Sequence, residues 1–227
     1  MSQTILALDA STEALSVALL HQGQQYHFFD VCPQQHAQRI LAEVDGVLAQ
    51  AGIDISDVDV IGYCQGPGSF TGVRISVSVA QGLAFSTNIP VVGVSSLAMM
   101  AQQAIAQGAQ RVLAAIDARM GEVYLAAYES VNGMAELQGE QQVLKPEDVT
   151  NPFADTIAVG TGWQSYPALL TTVTGLQPNA DITLPDSRYM LALVEAALAL
   201  GHSTKPCEAQ PVYLRDTVTW KKLPGRE

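Results

Sequence analysis

The sequence predicts an α/β protein built of two related lobes, and three observations predict it. Three short meandering strands are followed by alternating helix and strand, the order of a partly parallel sheet covered by helices. The opening strand, Asp-headed turn and second strand return just past residue 110. Finally, 48% of the 227 residues are hydrophobic and only 15% charged, a composition that demands a packed core and has length enough for two.

Ile5 to Leu8 is an apolar run ending at Asp9, and Leu15, Val17 and Leu19 alternate after it, so the start of the chain reads as a hairpin. A turn at His21 to Gln24 leads to a third strand over Tyr26 to Val31. After Pro33 the period changes. Ala37, Ile40, Leu41, Val44, Val47, Leu48 and Ala51 fall at helical spacing, and Gly52 is placed to stop the helix. Val58 to Tyr63 is the next strand, the loop Gln65 to Gly72 is glycine-rich, and a helix runs from Val73 to about Phe85. Pro90 to Val94 is a fifth strand, with Ser95 or Ser96 able to cap a third helix. This order is that of a ribonuclease H-like lobe.

Leu113 to Ala127 (LAAIDARMGEVYLAA) lies on Ile5 to Leu19 (ILALDASTEALSVAL) without a gap, Asp117 on Asp9 and Leu125 on Val17. An internal duplication accounts for the match. The second lobe is less regular: a strand at Thr156 to Val159, a Gly160-Thr161-Gly162 turn, and a helix from Ser187 to Leu200 stopped by Gly201. The expected division is therefore 1–108 for the N-terminal lobe and 109–227 for a degenerate C-terminal lobe.

Net charge is −11, which disfavours tight, unaided binding to a phosphate backbone. The one basic stretch, Lys221, Lys222 and Arg226, reads as a solvated tail, a small contact with RNA or an acidic partner being the lesser reading. Cys32, Cys64 and Cys207 make no CxxC pair, and no resident metal or cofactor is expected. The N-terminus lacks a basic region with a long apolar stretch, and no segment has the length and apolarity of a membrane span, so a cytoplasmic chain is expected. No HExxH helix or Gly-x-Ser-x-Gly elbow supports proteolysis.

Two lobes that each open with an Asp-containing hairpin resemble the superfamily of actin, the DnaK-type chaperones and the sugar kinases (ASKHA). There the two turns grip nucleotide phosphates with backbone N–H groups. Asp9, Ser11 and Thr12 suit that role as a vestigial phosphate turn, whereas Arg119 and Met120 stand where the second clamp needs Gly, Ser or Thr. The loop Gly66-Pro67-Gly68-Ser69-Phe70-Thr71-Gly72 could cradle an anion at a helix N-terminus, but it has no Gly-Lys-Ser/Thr ending. Its other reading is a tight turn into a closely packed helix.

The segments ILALDASTEALSVALL, GPGSFTGVRISVSVAQGLAF, PVVGVSSLAMMAQ, VLAAIDARMGEVYLAAY and PVYLRD, in this order, resemble the TsaB (YeaZ) family over essentially the whole chain. The resemblance implies a non-catalytic subunit of the system that installs threonylcarbamoyl on adenosine 37 of tRNA. In that system TsaC makes the activated adenylate, the paralogue TsaD performs the transfer, and TsaE is an ATPase. It implies binding to TsaD and TsaE, a homodimer when TsaD is absent, and contact with tRNA only through the complex. TsaD-like chains carry a His-x-x-x-His metal pair after the fifth strand; Ser96 and Met100 stand there in this sequence. The resemblance further implies that the first two helices form the partner surface, for which His36, Arg39, Ile40, Glu43, Val47, Phe70, Arg74, Ser78 and Gln81 are the candidates. The alternative is an independent nucleotide-dependent ATPase or kinase-like enzyme, and the second hairpin turn discriminates against it.

Overall fold

The computed structural model describes residues 3–215. Their strands are β1 (Ile5–Asp9), β2 (Ala14–His21), β3 (Gln24–Val31), β4 (Val60–Gly66), β5 (Val91–Ser95), β6 (Arg111–Arg119), β7 (Glu122–Val131), β8 (Met134–Leu144) and β9 (Ile157–Val159). The helices are α1 (His36–Ala51), α2 (Phe70–Thr87), α3 (Ser96–Ala106), α4 (Gly162–Ser165), α5 (Pro167–Thr174) and α6 (Ser187–Ala199).

One sheet has the order β3-β2-β1-β4-β5 and the other β8-β7-β6-β9. The two share the same sequence of pairings: an antiparallel meander, then a strand running parallel to the first. Helices and sheets alternate in layers. Helices α1 and α2 cover one face of the first sheet, where Leu6, Leu8, Leu15, Val17 and Leu19 meet Ile40, Val44, Val47 and Val77. Helices α3 and α6 lie behind it, with Met99, Met190, Leu191 and Val194 packed on Ile5, Ala7, Ala18 and Val60. The other side of α3, through Leu97, Met100 and Ala104, packs on Ala114, Ile116 and Ala126 of the second sheet. Trp163 and Leu170 close that sheet's far face over Leu113, Val123 and Leu125.

Local signals explain the boundaries. Helix α1 ends where Gly52 takes φ 71°, the left-handed conformation that glycine adopts without a Cβ penalty. Ser69 caps α2 by accepting a hydrogen bond from the Gly72 N–H. Ser95 occupies the N-cap position of α3, but its hydroxyl donates to Gln141 on β8 instead of capping the helix.

Two expectations meet a different geometry. The ungapped overlay of the hairpins is one residue too long in its second strand. Asp9 pairs with Ser16, but Asp117 pairs with Val123, because a bulge at Ala118 and a two-residue turn shorten the second hairpin. A one-residue slip reverses the faces. Leu15 and Val17 share a face with Leu6 and Leu8, whereas Val123 and Leu125 face away from Ala114 and Ile116. The chain after residue 186 also does not stay with the second sheet. Helix α6 packs on the back of the first sheet, Ser187 donates to Ser16, and Thr204 bridges to Val91 on the β5 edge. A division into 1–108 and 109–227 thus separates α6 from the sheet it covers.

Candidate functional site

A cleft of about 1460 Å³ opens between the lobes, walled by the β1–β2 turn, the loop before α2, and the β6–β7 turn. This is where paired hairpins would hold an anion, so the hydrogen bonds of each wall decide what the cleft can do.

Three N–H groups of the first turn are already engaged. The Ala10 N–H donates to Ser76 Oγ at 2.8 Å, the Ser11 N–H to Asp9 Oδ1 at 2.9 Å, and the Ala14 N–H to Thr12 Oγ1 at 3.4 Å. Its carbonyls are engaged by the glycine-rich loop. The Ser69 N–H donates to the Ser11 carbonyl at 2.7 Å, and a Cβ at Gly68 or Gly72 would collide with the carbonyls of Ser11 or Ala10. The two glycines therefore permit backbone to press on backbone, which is the packing reading of the loop. Asp9 is fully buried, Oδ2 has no partner, and burial raises its pKa from the ordinary value. Beside it, burial pushes the Cys64 thiol well up, with the Asp9 charge adding to the effect.

The second turn is built differently. Arg119, Met120 and Gly121 all have positive φ (61°, 58° and 81°), so two side-chain-bearing residues hold a conformation that favours glycine. The Arg119 guanidinium pairs with Asp117 at 3.2 Å and reaches across the cleft to Glu13 at 3.0 Å. A cation thus spans the gap between the two turns, bound to carboxylates of both.

Ser96 and Met100 serve the fold. The Ser96 hydroxyl donates to the Pro67 carbonyl, and Met100 is fully buried in the core between α3 and the second sheet. Among the described residues no three His, Cys, Asp or Glu side chains cluster as a metal site would require.

The comparisons with known proteins follow this geometry. Residues 30–176 match the family model described as "TsaD: tRNA N6-adenosine threonylcarbamoyltransferase". The tRNA threonylcarbamoyladenosine biosynthesis protein TsaB of Escherichia coli is 45% identical over 98% of this chain and 99% of its own length. The TsaB protein of Haemophilus influenzae is 43% identical, over 99% and 98%. The solved structure of YeaZ from Pseudomonas aeruginosa superposes with a TM-score of 0.87 at 46% identity, covering 94% of this chain and all of that one. The chain belongs to the TsaB family.

The partner surface expected on the first two helices of this TsaB-family chain needs correction. His36, Ile40 and Val47 are buried on the chain's own first sheet, the His36 ring donating to the Ala14 carbonyl at 3.2 Å. They lie on the buried face of α1 with Val44 and Leu48. Arg39 pairs with Asp30 at 2.6 Å and with Glu43 at 3.1 Å, which ties both α1 residues to β3 and to each other. Gln81 donates to the Ala209 carbonyl at 3.0 Å. Phe70, Arg74 and Ser78 do face outward.

The outward faces hold large apolar residues that the sequence reading left out. Phe85 is 77% exposed and Leu41 53%, beside Phe70 at 63%. Along α2 the exposed residues are Phe70, Thr71, Arg74, Ser78, Gly82, Phe85 and Ser86, and Thr71, Arg74, Ser78, Gly82 and Phe85 share one helical face, while Gly72, Ser76, Ala80 and Ala84 lie on the buried one. The four-residue spacing of those small side chains was the available signal for which face goes inward. Lys221, Lys222 and Arg226 lie outside the described residues, and no described helix is long and apolar enough to cross a membrane.

Proposed function

We propose that this chain is a non-catalytic subunit of tRNA threonylcarbamoyladenosine synthesis that binds and activates the TsaD transferase through the outward faces of α1 and α2. The observation that carries the reading is on α2: an 18-residue helix with Phe70 and Phe85 exposed at its two ends and Leu41 of α1 also exposed. Large apolar side chains left exposed on two neighbouring helices support a docking role for those outward faces. Two such helices from each partner would complete a four-helix interface, with a second copy of the chain taking the place of TsaD when TsaD is absent.

The cleft supports the non-catalytic part of the reading. Its first turn spends the N–H groups of Ala10, Ser11 and Ala14 internally, and Arg119 links Glu13 to Asp117 across it. A phosphate would have to displace those bonds. TsaE docks on the assembled complex, and tRNA is met through TsaD rather than by a surface of charge −11.

Size-exclusion chromatography of the chain mixed with the TsaD of the same organism tests the docking face. The parent co-elutes with TsaD, and Leu41→Glu with Phe85→Glu elutes apart from it with an unchanged far-ultraviolet spectrum. Co-elution of the double variant at the parent level refutes the face. Calorimetry with ATP gives weak or no heat on the chain alone; tight binding with turnover would make it an enzyme in its own right.

A further inference from the structure

Residues 209–215, after a 3-10 turn at Pro206–Glu208, belong to neither sheet, yet they touch both lobes. On the first lobe the Ala209 carbonyl accepts from Gln81 at 3.0 Å, the Gln210 N–H donates to the Tyr63 hydroxyl at 3.2 Å, and the Val212 N–H donates to the Gln65 carbonyl at 2.8 Å. The Tyr213 ring then lies 6.1 Å from Phe70, and the Arg74 guanidinium sits 3.2 Å above Phe70 and 5.5 Å from Tyr213. Two residues later Arg215 reaches the second lobe. Its guanidinium pairs with Glu122 and donates to the Arg119 carbonyl at 3.5 Å, at the far lip of the cleft.

We propose that residues 210–215 are a strap that latches the two lobes across the cleft mouth, with the Arg215–Glu122 pair as its catch. The first-lobe end is held by backbone hydrogen bonds and by a cation lying on aromatic faces. The second-lobe end hangs on one guanidinium. Arg215 is the better-shielded cation of the two that bridge to this turn, its side chain 17% exposed against 73% for Arg119, so it is less screened by solvent. The strap is therefore firm at one end and releasable at the other, and release changes the spacing of the lobes without unfolding either. Because Tyr213 rests on Phe70 and Arg74, the strap also sits beside the outward face of α2.

Pulsed electron–electron distance measurement on the full chain tests the strap without any partner, so its result is independent of the docking reading. Nitroxides are placed at Gln25→Cys on β3 and Glu136→Cys on β8, both exposed, in a Cys207→Ser background; Cys32 and Cys64 are buried. The parent gives a narrow distance distribution. Arg215→Glu shifts it to longer distance and broadens it, and Glu122→Arg combined with Arg215→Glu restores the narrow form by exchanging the charges. Tyr213→Ala, a half-exposed site, provides a second release that leaves the catch intact and also broadens the distribution. Melting curves identify the variants that remain folded. An unshifted distribution in folded Arg215→Glu and Tyr213→Ala overturns the proposal, as does a charge exchange that leaves the distribution as broad as Arg215→Glu alone.

Discussion

Asp9 is fully buried, with one carboxylate oxygen satisfied by the Ser11 N–H and the other without a partner. Burial raises its folded pKa above the ordinary 3.8, so the folded state holds the proton more tightly than the unfolded chain. Its contribution is thus most favourable below pH 3.8 and is lost as pH rises through the raised value; above that, a constant penalty for the buried charge remains. Asp9→Asn removes the penalty while its carbonyl keeps the Ser11 bond. Melting-temperature differences between Asp9→Asn and the parent should move in the variant's favour as the pH rises from 3.8 to 7. The Arg119-Met120-Gly121 turn makes a second residue-scale prediction. Met120 sits in the left-handed region at the first centre of a two-residue hairpin turn, where Asn-Gly is the favoured pair. Met120→Asn should stabilise the fold by up to about 1 kcal/mol, read as a higher melting temperature. Sequence reasoning marked Arg119 and Met120 as misfits for a phosphate clamp, but not the link that Arg119 makes to Glu13. That contact joins residues 106 positions apart, and no local pattern encodes it.

Helices α1 and α2 show how far periodicity carries at the scale of an element. The 3.6-residue stripe located α1 and Gly52 located its end, yet Ile40 and Val47 were expected on a partner although they are part of the stripe itself, and His36 is buried beside them. An amphipathic helix buries its apolar stripe on its own sheet first, and a partner meets what remains. For α2 apolar residues lie on more than one side, so hydropathy alone could not choose a face; the small residues at positions 72, 76, 80 and 84 do, because they allow close approach to the first lobe. This distinction is testable by comparing two substitutions. Val47→Glu places a charge in the first-lobe core and should cost several kcal/mol, lowering the melting temperature sharply. Leu41→Glu, on the same helix but exposed, should change stability by no more than about 0.5 kcal/mol while weakening partner binding.

Across the whole molecule, the meander and partly parallel character of the first sheet were readable from the local order of its elements, whereas β8, the edge strand of the second sheet, was not. The one-residue slip of the second hairpin and the return of α6 to the first sheet were not, because both depend on long-range packing: Gly62 lets Met190 and Val194 approach β4 where any Cβ would collide. The resulting molecule has a cleft between its lobes whose first turn engages the Ala10, Ser11 and Ala14 N–H groups internally, and it exposes Leu41, Phe70 and Phe85 on its first two helices. Threonylcarbamoylation of tRNA, reconstituted with the TsaC that supplies the activated adenylate and with the TsaD and TsaE of the same organism, separates a scaffold from an enzyme. Modification is expected when the parent chain is added, little with Leu41→Glu/Phe85→Glu, and none from the chain without TsaD. Modification by the chain without TsaD, or full stimulation by the double variant, would contradict the proposed role.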